Sequence, residues 1–226
     1  GCLNYFAYPI TPQSEVAEYL AWRLPEVGGV FLQGESEVAV SYMIHGAAAC
    51  GERVFTPSSS PGISLMSEAI SYMAGAQIPA VFVNIMRGGP GLGGILPSQA
   101  DYSQATKGIG HGDVRLLVMA PATVQEAAEM VMQAFALAEK YRNPVMILGD
   151  GLIGQMMEPV EFREDLSVEP LNKDEWATNG IGRRAGGKRN IVHSLFLDPE
   201  VLNEKNLLLR EKYERMKKEE VRYEAY

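Results

Sequence analysis

Cysteine is nearly absent: the 226-residue sequence has two, Cys2 and Cys50, far apart and without a CxxC pair. That excludes a four-cysteine cluster site and a disulfide framework within the chain, and it favours a reducing cytoplasm. Histidine is almost as scarce, with three residues in neither HxH nor HExxH spacing, so no metal site is expected here. No apolar run reaches the ~18 residues of a membrane span, and no membrane partner is expected. Positive charge is short as well, with 20 Lys and Arg against 28 Asp and Glu and a net charge of −8. This balance argues against nucleic acid as the main partner. There is no initiator methionine and no signal-peptide pattern, and both ends read as unfinished, as in a piece of a longer chain.

Apolar residues make up 46% of the sequence and charged residues 21%, the composition of a globular protein with a true core. From residue 1 to about 150, short apolar runs alternate with segments of helical period. The runs are Val30–Leu32, Val54–Thr56, Ala80–Ile85, Leu116–Met119 and Val145–Leu148, and a further strand ends at the Tyr8-Pro9 turn. Near-continuous runs of this kind suit strands buried on both faces of a parallel sheet. Between them, Gln13–Leu24, Glu35–Cys50, Ile63–Gln77 and Thr123–Tyr141 read as helices. The last opens on a capping box formed by Thr123 and Glu126. The expectation is an α/β fold, a doubly wound and mainly parallel sheet over residues 1–150. Prolines and glycines then interrupt any period, so 151–197 is expected to be an extended linker or arm, and 198–226 a C-terminal helix starting at Asp198-Pro199. The basic run at 182–189 has a solvated-surface reading and a phosphate-binding one, of which the first is preferred.

Four turns follow predicted strands, where ligands of open parallel sheets sit. YPITP (8–12) offers the Thr11 hydroxyl between two prolines, although Thr11 has a plainer reading as a helix cap. QGESE (33–37) opens a helix with two carboxyl groups, Glu35 and Glu37. Acids are favourable in a first turn for structural reasons alone, but Glu37 runs into the small-residue stretch Val38-Ala39-Val40, where a carboxyl group can trade a proton with a ligand nitrogen. TPSSSPG (56–62) brings Ser59, Ser60, Pro61 and Gly62 to a helix start rich in unpaired N–H groups. RGGPGLGG (87–94) sets Arg87 directly after an apolar strand and before glycines that let backbone approach a ligand. Guanidinium is the natural partner of a carboxylate. The loop has neither the P-loop Lys-Ser/Thr nor a strict GxGxxG. His111 lies in a glycine-rich turn as a secondary candidate donor, against a plain reading as a turn residue.

Taken together, these strings resemble the pyrimidine-binding domain of the α subunit of the 2-oxoacid:ferredoxin oxidoreductases. The resemblance runs on through SQADYSQATKGIGHGD (98–113), DGLIGQMMEP (150–159) and KYERMKKEEVRYE (212–224), so it covers essentially the whole chain. RGGPGLG together with DGLIGQMMEP looks most like the branched-chain subgroup, whose substrate is 2-oxoisovalerate. The resemblance implies thiamine diphosphate shared with a partner subunit. Glu37 would activate the aminopyrimidine at N1′, with Glu35 as the fallback, and Ser59, Ser60, Pro61 and Gly62 would line the cofactor. Thr11 and Arg87 would bind the substrate carboxylate. It implies a β subunit carrying the diphosphate and Mg2+ site, an iron–sulfur subunit, ferredoxin, and coenzyme A as acyl acceptor. Gly149-Asp150-Gly151 imitates the start of the family's metal motif, but no Asn-Asn pair follows it, so no metal is assigned here. The resemblance also implies a second domain after residue 226. Pyruvate or 2-oxoglutarate as substrate, and a noncatalytic assembly role, are the competing readings.

Overall fold

The sheet consists of β1 (Asn4–Ala7), β2 (Val30–Gln33), β3 (Val54–Ser58), β4 (Val81–Met86), β5 (Leu117–Met119) and β6 (Val145–Asp150). In the computed structural model these six strands are all parallel, in the order β2-β1-β3-β4-β6-β5. The structure describes residues 1–166, 168–180 and 186–223. The expected α/β doubly wound, parallel architecture is therefore the observed one.

Alternation along the central strands sorts side chains between two faces. Phe82, Met146 and Leu148 point to one face, where they meet α2 (Glu37–Ala49) through Val40 and Ile44, and α3 (Ser60–Gly75) through Ile63, Met66 and Ile70. Val81, Val145 and Ile147 point to the other, against Ala134 and Ala138 of α4 (Val124–Tyr141). On this second face α1 (Ser14–Glu26) covers Tyr5 and Ala7 through Leu24, and Phe55 joins its cluster to that of α4. Of the Thr123–Glu126 box, one half forms as expected, with Thr123 Oγ1 accepting from the Glu126 N–H at 3.1 Å. The reciprocal bond shifts by one residue, and Glu126 accepts from Ala122 N–H at 2.7 Å.

After a short helix α5 (Gly151–Gln155), the chain crosses back over the body, and among the described residues of this stretch the one regular element is a 3-10 turn. A buried carboxyl pins it there. Glu139 on α4 accepts from Arg53 Nε at 2.8 Å, Lys173 Nζ at 2.6 Å and the Leu171 N–H at 3.2 Å. Burial pushes the Glu139 pKa up, but these donors outweigh it and hold the carboxyl below its usual range. The first half of the basic run, 182–185, lies outside the described residues. The C-terminal helix α6 (Pro199–Glu220) starts at Asp198, whose carboxylate accepts from the Glu200 and Val201 N–H groups. It is fastened to the end of α4. Lys212 donates to the Arg142 carbonyl at 3.2 Å, and the Tyr141 hydroxyl lies 2.6 and 2.7 Å from the Glu219 and Glu220 carboxylates. Among the described residues no helix is long and apolar enough to cross a membrane.

Candidate active site

The chain leaves β1 toward β2 on one side and leaves β3 toward β4 on the other, so the order of the sheet reverses between β1 and β3. At such a reversal the turns diverge and open a crevice beyond the strands' carboxyl ends. The turns after β1, β3 and β4 all lie at that end, and the start of α2 meets them there.

Glu37 is the first residue of α2 because Ser36 caps the helix, accepting from the Ala39 N–H at 3.1 Å. This places the Glu37 side chain against the first turn of α3. A Cβ on Gly62 would stand 2.9 Å from Glu37 Oε1 and 2.1 Å from Ser58 Oγ, so glycine leaves the room in which these two side chains now sit. Glu37 is 6% exposed, and its carboxyl has no hydrogen-bond or ion-pair partner among the described residues. Glu35, by contrast, is exposed in the preceding bend. At the same end of the sheet several polar atoms are buried and unpaired: the Ser58 and Ser59 hydroxyls, Asn84 Oδ1 and Arg87 Nε. Buried polar groups are normally paired, and a cluster of exceptions at one crevice marks a ligand site.

Arg87 is brought to the same crevice. Its Nη1 donates to the Thr11 carbonyl at 3.0 Å and its Nη2 to the Leu92 carbonyl at 3.2 Å. Thr11 does not cap α1, whose first turn has no side-chain cap; its own side chain is exposed. Ser60 touches Arg87 directly, its Oγ accepting the Arg87 backbone N–H at 3.1 Å. Pro61 occupies the first turn of α3, where its missing N–H costs nothing. Glu37, Ser59, Ser60, Pro61, Gly62, Thr11 and Arg87 are thus gathered at one end of the sheet. His111 is not. Its backbone N–H donates to Ser71 Oγ at 2.9 Å and its ring stands edge-on to Tyr72, beside a turn of α3 that lies about 14 Å along the helix from Gly62.

Asn84, Ser58 and Asp101 were not singled out by the sequence reading. Asp101 accepts from Asn84 Nδ2 at 3.0 Å and from the Ser60 hydroxyl. Asp150, of the Gly149-Asp150-Gly151 string, uses both oxygens locally. It caps α5 through the Leu152 N–H at 2.8 Å and accepts from Gln99 Nε2 at 2.7 Å.

The family model for the thiamine diphosphate-binding region of pyruvate flavodoxin/ferredoxin oxidoreductases matches residues 1–223. The chain belongs to this family. As an oxidoreductase-family domain it is 52% identical, over all 226 residues, to the ketoisovalerate oxidoreductase subunit VorB of Methanothermobacter thermautotrophicus, of which it spans 63%. It is 41% identical over 169 residues to the 2-oxoglutarate synthase subunit KorA of the same organism, covering 74% of this chain and 45% of that one. Among solved structures, the 2-oxoglutarate:ferredoxin oxidoreductase of Magnetococcus marinus, with 2-oxoglutarate, coenzyme A and succinyl-CoA bound, superposes with a TM-score of 0.78 at 26% identity. That match covers 100% of this chain and 44% of that one. The likeness to the ketoisovalerate subunit is thus the greater and spans the whole domain.

Proposed function

We propose that this chain supplies the aminopyrimidine half of a thiamine diphosphate site in a 2-oxoacid:ferredoxin oxidoreductase that decarboxylates 2-oxoisovalerate oxidatively. The observation that carries the reading is the buried, unpartnered Glu37 carboxyl wedged against Gly62 and Ser58 at the reversal of the sheet. The residues present fit a nitrogen heterocycle: one carboxyl for a ring nitrogen, unpaired hydroxyls on Ser58 and Ser59, and a glycine wall. When bound, thiamine diphosphate supplies a thiazolium carbon that serves as nucleophile and electron sink for decarboxylation.

Glu37 holds a proton at the ring nitrogen N1′ and thereby sets the tautomer of the aminopyrimidine. Ser59, Ser60, Pro61 and Gly62 form the wall that orients the ring and excludes water from it. Arg87 keeps the Nε–H, buried and without an acceptor, and one further N–H on each terminal nitrogen, and these with the exposed Thr11 hydroxyl are the donors left to the substrate carboxylate. No charged residue occurs from Gly88 to Ala100, so the loop beside Arg87 offers no cation for the second carboxylate of 2-oxoglutarate. This, with the 52% against 41% identity, supports a branched apolar substrate. The reading extends to a β subunit holding the diphosphate and Mg2+, an iron–sulfur subunit, ferredoxin, coenzyme A and a cytoplasmic setting.

Turnover of the reconstituted complex with 2-oxoisovalerate, 2-oxoglutarate and pyruvate tests the substrate, and a preference for 2-oxoglutarate overturns that part. Glu37→Gln in the same complex tests the site. A fall in kcat of about 10²–10⁴-fold is expected, and unchanged turnover leaves the chain as an assembly module.

A further inference from the structure

We propose that Asp101 is a positioning residue for Arg87, locking the turns after β3 and β4 and the return of the glycine loop into one hydrogen-bonded frame. The proposal rests on the reading of Arg87 as the substrate-carboxylate ligand. Asp101 is the first charged residue after Arg87 in the sequence, at the far end of the loop. Its Oδ2 accepts from Asn84 Nδ2 at 3.0 Å and from the Ser60 hydroxyl. Ser60 Oγ in turn accepts the Arg87 backbone N–H at 3.1 Å.

A serine hydroxyl has one proton. Spent on Asp101, it fixes the rotor and leaves a lone pair for the Arg87 N–H, so the frame runs in one direction from Arg87 through Ser60 to Asp101. The carboxylate also orients Asn84. With Nδ2 committed to Asp101, Oδ1 is turned away and stays buried without a partner. An acceptor-only group suits this position, because two donors converge on it and an ammonium group there would set donor against donor. No ion pair joins Asp101 to Arg87 among the described residues, so Asp101 acts on the arginine through its backbone rather than its charge. Two residues earlier, Gln99 is held by Asp150, which fixes the same limb of the loop from the other side.

The test uses the assembled complex with Asp101→Ala and Asp101→Asn, read by steady-state kinetics, cofactor binding and amide hydrogen exchange. In Asp101→Ala the KM for 2-oxoisovalerate rises about tenfold, kcat and thiamine diphosphate affinity change by less than about threefold, and the Arg87 amide exchanges at least about tenfold faster. Asp101→Asn, whose carbonyl oxygen can accept both donors, restores amide protection and brings KM to within about threefold of the parent. An unchanged KM beside a deprotected amide overturns the proposal, as does an asparagine variant as damaged as alanine with its Arg87 amide still protected. If the alanine variant does not assemble, Ser60→Ala breaks the same frame and carries the same expectation for the Arg87 amide. If no 2-oxoacid is turned over by the parent complex, the functional reading fails, while the exchange data still judge the frame.

Discussion

The Arg87 guanidinium spans the crevice to the Thr11 carbonyl, 3.0 Å from Nη1, and so ties the turn after β1 to the turn after β4 across 76 residues of sequence. Its second terminal nitrogen holds the Leu92 carbonyl of the glycine loop. Arg87 is therefore a brace as well as a candidate ligand, and both uses depend on a planar fork of donors.

Lysine at this position keeps the charge but not the fork. Arg87→Lys is expected to raise the KM for the 2-oxoacid by about ten- to a hundredfold, with a smaller change in kcat. Steady-state kinetics on the reconstituted complex checks this, and a KM within twofold of the parent rejects the role.

Gly62→Ala forces a methyl group to within 2.1 Å of Ser58 Oγ and 2.9 Å of Glu37 Oε1. The Ser58 and Glu37 side chains must turn out of their present positions, at a cost of about 1–3 kcal/mol in urea unfolding. Thiamine diphosphate affinity of the complex falls with it; calorimetry that shows parent-like affinity removes Gly62 from the cofactor wall.

Glu139→Ala leaves Arg53 and Lys173 buried without their carboxylate. The expected loss is about 3–5 kcal/mol, with proteolysis concentrated in the segment around Leu171. Because the folded Glu139 pKa is held below its unfolded value, its contribution is complete above the ordinary carboxylate range and is lost as pH falls below it. Glu139→Gln is expected to flatten that acid limb of the stability profile.

Lys212 also makes stability rise with pH, in a higher window and as a penalty relieved on deprotonation rather than a contribution gained. Burial, with Arg142 and Arg215 nearby, pulls its pKa down to about 7, so between pH 7 and the unfolded value of 10.5 the unfolded chain binds the extra proton. Stability from this group is lowest at and below about pH 7 and rises toward pH 10.5. Lys212→Met is expected to stabilise the chain most at low pH and progressively less above neutrality. Parallel denaturation series at pH 6 and pH 9 compare the two chains, and a pH-independent difference rejects the assignment.

The parallel core was legible because strands such as Val145–Asp150 are buried on both faces and so read as unbroken apolar runs. The converging turns were legible because glycine, proline and hydroxyl residues punctuate the strand ends. Local signals stopped at the level of single atoms. The helix start that buries Glu37 and exposes Glu35 depends on the Ser36 cap, which the sequence permits without dictating. His111 is exposed, and its glycine turn carries no information that it would pack beside Tyr72 rather than at the crevice. Asp101, Asn84 and Ser60 meet over separations of 17 and 41 residues, and the Arg53–Glu139 pair over 86, distances at which no periodicity or cap leaves a trace.

A chain selected only for cohesion would not bury the Ser58 and Ser59 hydroxyls and Asn84 Oδ1 without partners. Each such group costs about 1–3 kcal/mol, so the fold is locally frustrated where its turns converge. Relieving that frustration by Ser59→Ala should raise the melting temperature of the chain while weakening its use. A small molecule that satisfies the same atoms becomes, in thermodynamic terms, a missing piece of the hydrophilic core, and the melting temperature should climb with the logarithm of its concentration.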